Sequence, residues 1–264
     1  MPDALKKDLQ DGLLILTLNR PEARNALNLE LTEALRDAGH EAMYDPAVRA
    51  VMLIGSGGHF CVGGDVKAMN EGKGRDAPYG LRRHGLRDRM DISRALHEMP
   101  KPTIAVVEGS CAGAGLSMAM ACDFRICAED SKITTAFAKV GLSGDYGGTY
   151  FMTHILGAAK ARELYLTSQL LSGSEAAAMG LFSRALPAGD VASAGLEMAR
   201  ALAAGPTGAL GRIKRNIALA EQGGTLGECM DMEATHFWEC TETADHKEAA
   251  AAFVGKRKPV FTGR

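Results

Sequence analysis

Two stretches of this chain follow one order: an apolar run, then glycines, then a helical pattern. The first is "VRAVMLIGSGG" leading into "GGDVKAM"; the second, about 50 residues later, is "TIAVVEGSCAGAG" leading into "LSMAMACD". This repetition constrains the fold more than any other feature, because each glycine turn must join a strand end to a helix start. Glycine at such a junction leaves backbone N–H groups unshielded, and the helix dipole adds positive potential at the same place. The turns Val62 to Asp65 and Ala112 to Gly115 can therefore each offer one N–H to a single developing oxyanion. A tight connection without chemistry is the alternative for each, since glycine turns are common.

The remaining segments alternate in a similar way. Leu13 to Pro21, "LLILTLNRP", reads as a buried strand, and "ALNLELTEALRDAGHEAM" carries apolar residues at helical spacing. Asn70 to Gly80 is polar and glycine-rich, which predicts a mobile surface loop. One helical pattern then puts Leu86, Met90, Leu96 and Met99 on one side and stops at "PKP". "DFRICAEDSKITTAF" predicts short strands around a turn, and "AKARELYLTS" a helix. Ser172 and Glu175 have capping-box spacing, Gly180 marks a helix stop, and Phe182 to Leu186 reads as a strand. From Asp190 the pattern is helical, broken near Gly205-Pro206, Gly223-Gly224 and Thr241 to Thr243. The expected division is a core over residues 1–200 and a helical region over 201–264. The apolar faces of that tail need the main domain or another subunit to cover them.

At 264 residues, 46% hydrophobic and 23% charged, the chain can bury a large core. Its formal net charge of -2 supplies no concentrated cationic surface for nucleic acid or an anionic membrane. "MPDALKKDLQDG" has no apolar stretch of signal-peptide type, and no window nears the roughly 18 apolar residues of a spanning helix. A soluble cytoplasmic protein is the expectation. The six cysteines form no CxxC pair and no His-Cys spacing suited to zinc, so they read as small buried side chains, with neither metal nor disulfide expected.

Several familiar sites fail on single residues. A dinucleotide fingerprint starting at Gly113 would need glycine where Met118 stands, and neither "GLSMA" nor "GLSGD" fits GxSxG, which leaves Ser117 and Ser143 without a base. Asp65 and Asp123 border helices and read as caps or buried acceptors, whereas Glu108 after its strand fits either a structural or a chemical role. "VGLSGDYGGTY" sets Asp145 among four glycines. It is a turn residue or, if partly buried, a carboxyl whose pKa rises toward working pH. Arg20, Arg24, Lys67 and "GKRKP" are solvated charges individually, and together a possible set of partners for the phosphates of an extended ligand. His84 reads as a surface histidine or a polar contact of the same pocket.

In chain order the motifs are "NRPEARNALN", "GSGGHFCVGGDVKAM", "KPTIAVVEGSCAGAGLSMAMACDFRICAED", "GLSGDYGGT", "LTSQLLSGSEAAAMGLFSRAL" and "AAFVGKRKPVF". With these the chain resembles the enoyl-CoA hydratase/isomerase (crotonase) superfamily over nearly its whole length. The resemblance implies an α/β fold of the ClpP-like kind, a spiral of ββα units with a helical C-terminal trimerisation region. It implies a homotrimer or hexamer acting on an acyl-CoA thioester, with coenzyme A as part of the substrate and no separate cofactor. By motif position the oxyanion donors are Gly64 and Ala114. The coenzyme A contacts implied are Arg24, Val62, Asp65, Val66 and Lys67, with Phe253 and Lys256 reaching the ligand of a neighbouring subunit.

The departures from that family are informative. Hydratases of the family resemble one another in two glutamates, one shortly after the second glycine turn and one in a "PE" dipeptide. Here Ser117 stands at the first position and Ala136-Phe137 at the second. In "GLxxDxGGT", Asp145 looks like the single carboxylate of the family's double-bond isomerases, and the segment is most similar to the ring-epoxide phenylacetyl-CoA isomerases. One carboxylate suffices to remove a proton beside a thioester enolate and return it elsewhere. The expectation is an enoyl-CoA isomerase. The alternatives are a hydratase with non-standard groups and a catalytically silent acyl-CoA-binding oligomer.

Overall fold

The computed structural model describes residues 3–72 and 77–264. Strand β1 (Leu5–Gln10) returns antiparallel into β2 (Leu13–Leu18) through Asp11-Gly12, both at positive φ, as a two-residue hairpin requires. After it come α1 (Leu29–Tyr44), β3 (Ala50–Gly55), α2 (Val66–Asn70), α3 (Tyr79–Arg89), α4 (Asp91–Glu98), β4 (Thr103–Val107), β5 (Ser110–Ala112) and α5 (Ala114–Ala121). Then follow β6 (Phe124–Ala128), β7 (Lys132–Thr134), α6 (Gly148–Thr167), β8 (Leu171–Ser172), α7 (Gly173–Ala178), β9 (Arg184–Leu186) and α8 (Ala188–Ala203). Three helices end the chain: α9 (Thr207–Glu221), α10 (Leu226–Thr241) and α11 (Ala244–Val254).

The large sheet has the order β1-β2-β3-β4-β6-β9 and is parallel from β2 onward. Its middle strand β4, "TIAVV", is buried at every position, the continuous apolar run expected of a parallel strand covered on both faces. On one face α8 sets Val191, Ala199 and Ala203 against Ala50, Ile104, Val106 and Ile126. The other face carries the main core, built with Leu31 and Leu35 of α1, Ile92 and Leu96 of α4, and Leu116 and Met118 of α5. A small sheet, β5-β7-β8, takes one strand from each successive unit, so β4/β5/α5 and β6/β7/α6 repeat the expected ββα pattern.

Several local expectations hold. Asp65 caps α2, and Ser172 and Glu175 form a reciprocal capping box; Asn28, not singled out from the sequence, caps α1. The tail breaks at 204–206, 222–225 and 242–243, where the glycines, proline and threonines predict them. Two expectations need correction. The single helix expected before "PKP" is two, joined at Met90, and only its second half buries its apolar side: Leu96 and Met99 are fully buried while Leu86 is exposed. The loop expected over Asn70 to Gly80 is shorter, because Asn70 ends α2 and Tyr79-Gly80 opens α3; positions 73–76 lie outside the described residues. No described helix is long and apolar enough to cross a membrane.

Candidate active site

The two glycine turns, separate in sequence, meet in the structure. Cys61 and Cys111 form a parallel bridge, with the Cys61 N–H donating to the Ser110 carbonyl at 3.1 Å and the Ala112 N–H to the Cys61 carbonyl at 2.9 Å. A Cβ on Gly63 would lie 3.0 Å from the Ala112 carbonyl and 3.3 Å from the Ala114 nitrogen, and one on Gly115 would strike the Cys61 carbonyl at 2.4 Å. Only glycine at these positions lets the turns touch. The Leu27 N–H donates to the Gly63 carbonyl and the Asp65 N–H to the Leu27 carbonyl, which clamps both sides of Gly64 without using its own N–H. Ala114 is the first residue of α5, so its N–H precedes the intrahelical ladder. Among the described residues neither N–H has an acceptor.

A fully buried asparagine fixes the first turn from below. Asn25, held at φ 57, accepts from the Arg20 N–H and donates from its amide to the Ser56 and His59 carbonyls. Arg20 in turn donates to the Ala26 carbonyl and pairs with Asp65 at 3.4 Å. The Ala68 N–H first, and Arg20 after it, hold the Asp65 carboxyl below the usual range. Asp65 is thus a cap with its charge spent. Asp123 is similarly committed, accepting from the Thr103 N–H and hydroxyl and pairing with Lys214 at 2.8 Å.

Asp145 differs from both. It lies between Gly144 at φ 116 and Tyr146 at φ 52, in the loop that ends where α6 begins, and its main-chain carbonyl accepts from the Gly148 N–H. Its Oδ1 is buried with no hydrogen-bond partner, and burial alone pushes its pKa up to about 6. The carboxyl lies within electrostatic range of the Cys61 thiol at the head of the first turn and of the Tyr146 and Tyr165 hydroxyls. Among the described residues no cation contributes to that shift.

Ser117 and Phe137 form the other walls. The buried Ser117 hydroxyl donates to the Gly113 carbonyl at 3.2 Å, inside the second turn. Phe137 packs over that turn, 3.7 Å from where a Gly113 Cβ would stand, and stacks on Tyr165 with ring centroids 6.0 Å apart. Sequence reasoning missed Tyr165: it is one residue of a long helix, and its position beside Ser117 follows only from how α5 and α6 pack. Met69 was missed as well; its Cε lies 2.5 Å from the place of a Gly64 Cβ.

The residues assigned to coenzyme A by resemblance divide into two groups. The Val62 N–H donates to the Arg24 carbonyl at 3.3 Å, so Arg24 and Val62 adjoin at the first turn, with Asp65 beside them and exposed Val66 and Lys67 starting α2. Phe253 (86% exposed) and Lys256 belong instead to the terminal helical segment. His84 is exposed on α3. An apolar cleft of about 360 Å³ under α9, lined by Phe124, Ile155, Ile213 and Ile217, includes neither turn nor Asp145 in its walls. Spare N–H groups and a carboxyl oxygen buried without a described partner point to chemistry more directly than the volume of that cleft.

The family model described as enoyl-CoA hydratase/isomerase matches residues 8–264. The chain is similar to the 1,2-epoxyphenylacetyl-CoA isomerase of Escherichia coli, at 34% identity over 100% of both chains. A probable enoyl-CoA hydratase of Rhodobacter capsulatus is 35% identical over 98% of each. Among solved structures, a putative enoyl-CoA hydratase from Streptomyces coelicolor superimposes with a TM-score of 0.93 at 33% identity, covering 100% of this chain and 96% of that one.

Proposed function

The chain belongs to the enoyl-CoA hydratase/isomerase family, and from that premise we propose that it is an enoyl-CoA isomerase in which Asp145 moves the proton. One observation carries this reading: among the described residues the Asp145 Oδ1 is buried without a hydrogen-bond partner, burial raises its pKa to about 6, and it lies within electrostatic range of Cys61 at the head of the first turn, while the Gly64 and Ala114 N–H groups are unspent. A thioester carbonyl bound between the Gly64 and Ala114 N–H groups becomes an enolate when a proton leaves the acyl chain, and fixed donors stabilise that charge most where it develops. Asp145 takes the proton from one carbon and returns it to another, which needs one carboxylate and no water. Addition of water by two carboxylates has no support from Ser117 and Phe137 at the corresponding positions.

Arg24, Val62, Val66 and Lys67 would line the coenzyme A side of this site, with Asp65 holding the turn. Self-association through the tail is part of the same proposal. Met230, Phe237, Trp238 and Phe253 are exposed on α10 and α11, and α10 buries none of its residues within the chain. A homotrimer or hexamer would cover them and bring Phe253 and Lys256 to a neighbour's ligand. The direct test is conversion of 3-enoyl-CoA to 2-enoyl-CoA by wild type and Asp145→Asn, with the mass in solution read by light scattering. An unchanged rate in the variant refutes the role of Asp145, and efficient hydration of 2-enoyl-CoA by wild type refutes the isomerase reading.

A further inference from the structure

Behind Ser117 and Phe137 stands a third side chain, Tyr165 of α6. Its ring is held by the stack on Phe137 and lies with Cε1 3.2 Å from the place of a Gly144 Cβ. Its hydroxyl and that of Ser117 each lie 2.2 Å from where a Cβ on Gly148 would be, so only glycine at the start of α6 leaves room for both. Two side-chain polar atoms in this neighbourhood, Tyr165 Oη and Asp145 Oδ1, are shut off from solvent with no geometric hydrogen-bond partner among the described residues. Such groups are rare in native structures because each costs about 1–3 kcal/mol, and a role in binding or chemistry is one reason they persist.

The two orphans differ in kind. The carboxylate accepts; the phenol, which burial pushes up to about 12 against a smaller lowering by the neighbouring Ser117 hydroxyl and with the Asp145 charge adding a little, keeps its proton and can donate. Ser117 spends its own proton on the Gly113 carbonyl. This neighbourhood therefore contains one proton acceptor suited to a carbon acid and one fixed donor whose polar neighbour, Ser117, is turned to the Gly113 carbonyl.

Resting on the isomerase reading above, we propose that Tyr165 is a specificity-determining residue whose hydroxyl donates to an oxygen of the acyl group, so that the preferred substrate is an oxygen-bearing enoyl-CoA rather than a plain hydrocarbon one. Hydroxyl, carbonyl and ether oxygens satisfy the same requirement. A site built to donate a hydrogen bond discriminates against the analogue that lacks the acceptor, because the donor is then left buried and unpaired.

The test compares 3-enoyl-CoA thioesters of equal chain length, one hydrocarbon and the others moving a single oxygen along the chain, with wild type and Tyr165→Phe, which keeps the stacked ring. Wild type should prefer one oxygen-bearing member, and the variant should lower the ratio of its kcat/KM to that of the hydrocarbon by about tenfold or more. An unchanged ratio across the series, with activity lost equally or not at all, overturns the proposal. If the variant does not fold, the wild-type Kd values for the corresponding saturated thioesters decide, and equal affinities overturn it. Absence of isomerisation by wild type on every member would instead defeat the isomerase reading, while the Kd comparison still tests Tyr165.

Discussion

Asp91 and Asp145 are both largely enclosed aspartates, yet their surroundings have opposite effects. Asp91 starts α4, 8% exposed, and accepts from Arg94 at 2.6 and 2.8 Å, from His40 at 2.7 Å and from Arg87 at 3.2 Å. Those partners, Arg94 foremost, hold its carboxyl well below the usual range and tie α1 to α3 and α4. Asp145 has no such partner among the described residues, and burial pushes its carboxyl up. A carboxylate surrounded by donors has its charge spent on the fold. One that is buried without them is destabilised as an anion and so becomes a stronger base.

The largest expected break in this comparison is catalytic. Asp145→Asn should lower kcat/KM for 3-enoyl-CoA isomerisation by about 100-fold or more, the usual range for a general base, whereas Asp91→Asn should stay within about twofold, since Asp91 supports helices rather than substrate. Steady-state kinetics on both variants checks this. Wild-type kcat/KM should also rise with pH through about 6 and level off above it, because the base works only when ionised. A flat profile from pH 5 to 8 contradicts that assignment.

Stability should move the other way. The folded pKa of Asp145 lies above the ordinary aspartate value of 3.8, so the folded state holds an extra proton between about pH 4 and about pH 6. Its contribution to stability falls across that window and stays lost above it, by up to about 3 kcal/mol at 1.36 kcal/mol per pKa unit. Asp145→Asn should therefore be more stable than wild type at pH 7, with the advantage vanishing below about pH 4. Urea unfolding of both proteins at several pH values measures it.

Asp91→Asn should cost about 1–2 kcal/mol at pH 7, less than the loss of a fully buried partner because its cations are about half exposed. The folded pKa of Asp91 is depressed, so its contribution is present above about pH 4 and is lost as pH falls toward the folded value. Wild-type stability should therefore fall as pH drops below about 4, whereas the Asp91→Asn variant, less stable at pH 7, should lose that part of the acid sensitivity so that the two converge in acid; urea unfolding of both at several pH values measures it. Arg87→Ala, which removes the most exposed of the three cations, should cost about 0.5 kcal/mol or less.

Much of this was legible before any coordinates. Glycine punctuation and apolar periodicity located β3, β4, α5 and the three tail helices, because those signals act over a few residues. The join at Met90 was not legible: its flanking residues suit a continuous helix, and only the packing of Ile92, Leu96 and Met99 into the core separates α4 from the exposed α3. Within the site, Gly64, Ala114 and Asp145 could be singled out as residue types. Asn25 and Tyr165 could not, because a buried amide and a phenol on a helix look ordinary until their neighbours are known.

The sequence by itself determined which groups this protein has to work with: two glycine turns with N–H groups to spare, one carboxylate in a glycine loop, and Ser117 and Phe137 where family hydratases carry glutamates. Only the tertiary structure decided what those groups are. Asp145 is a base candidate because the folded chain buries its Oδ1 without a hydrogen-bond partner among the described residues, and Asp65 is not one because Ala68 and Arg20 occupy its oxygens. A pKa is set by the environment that distant segments build, and local sequence does not contain it.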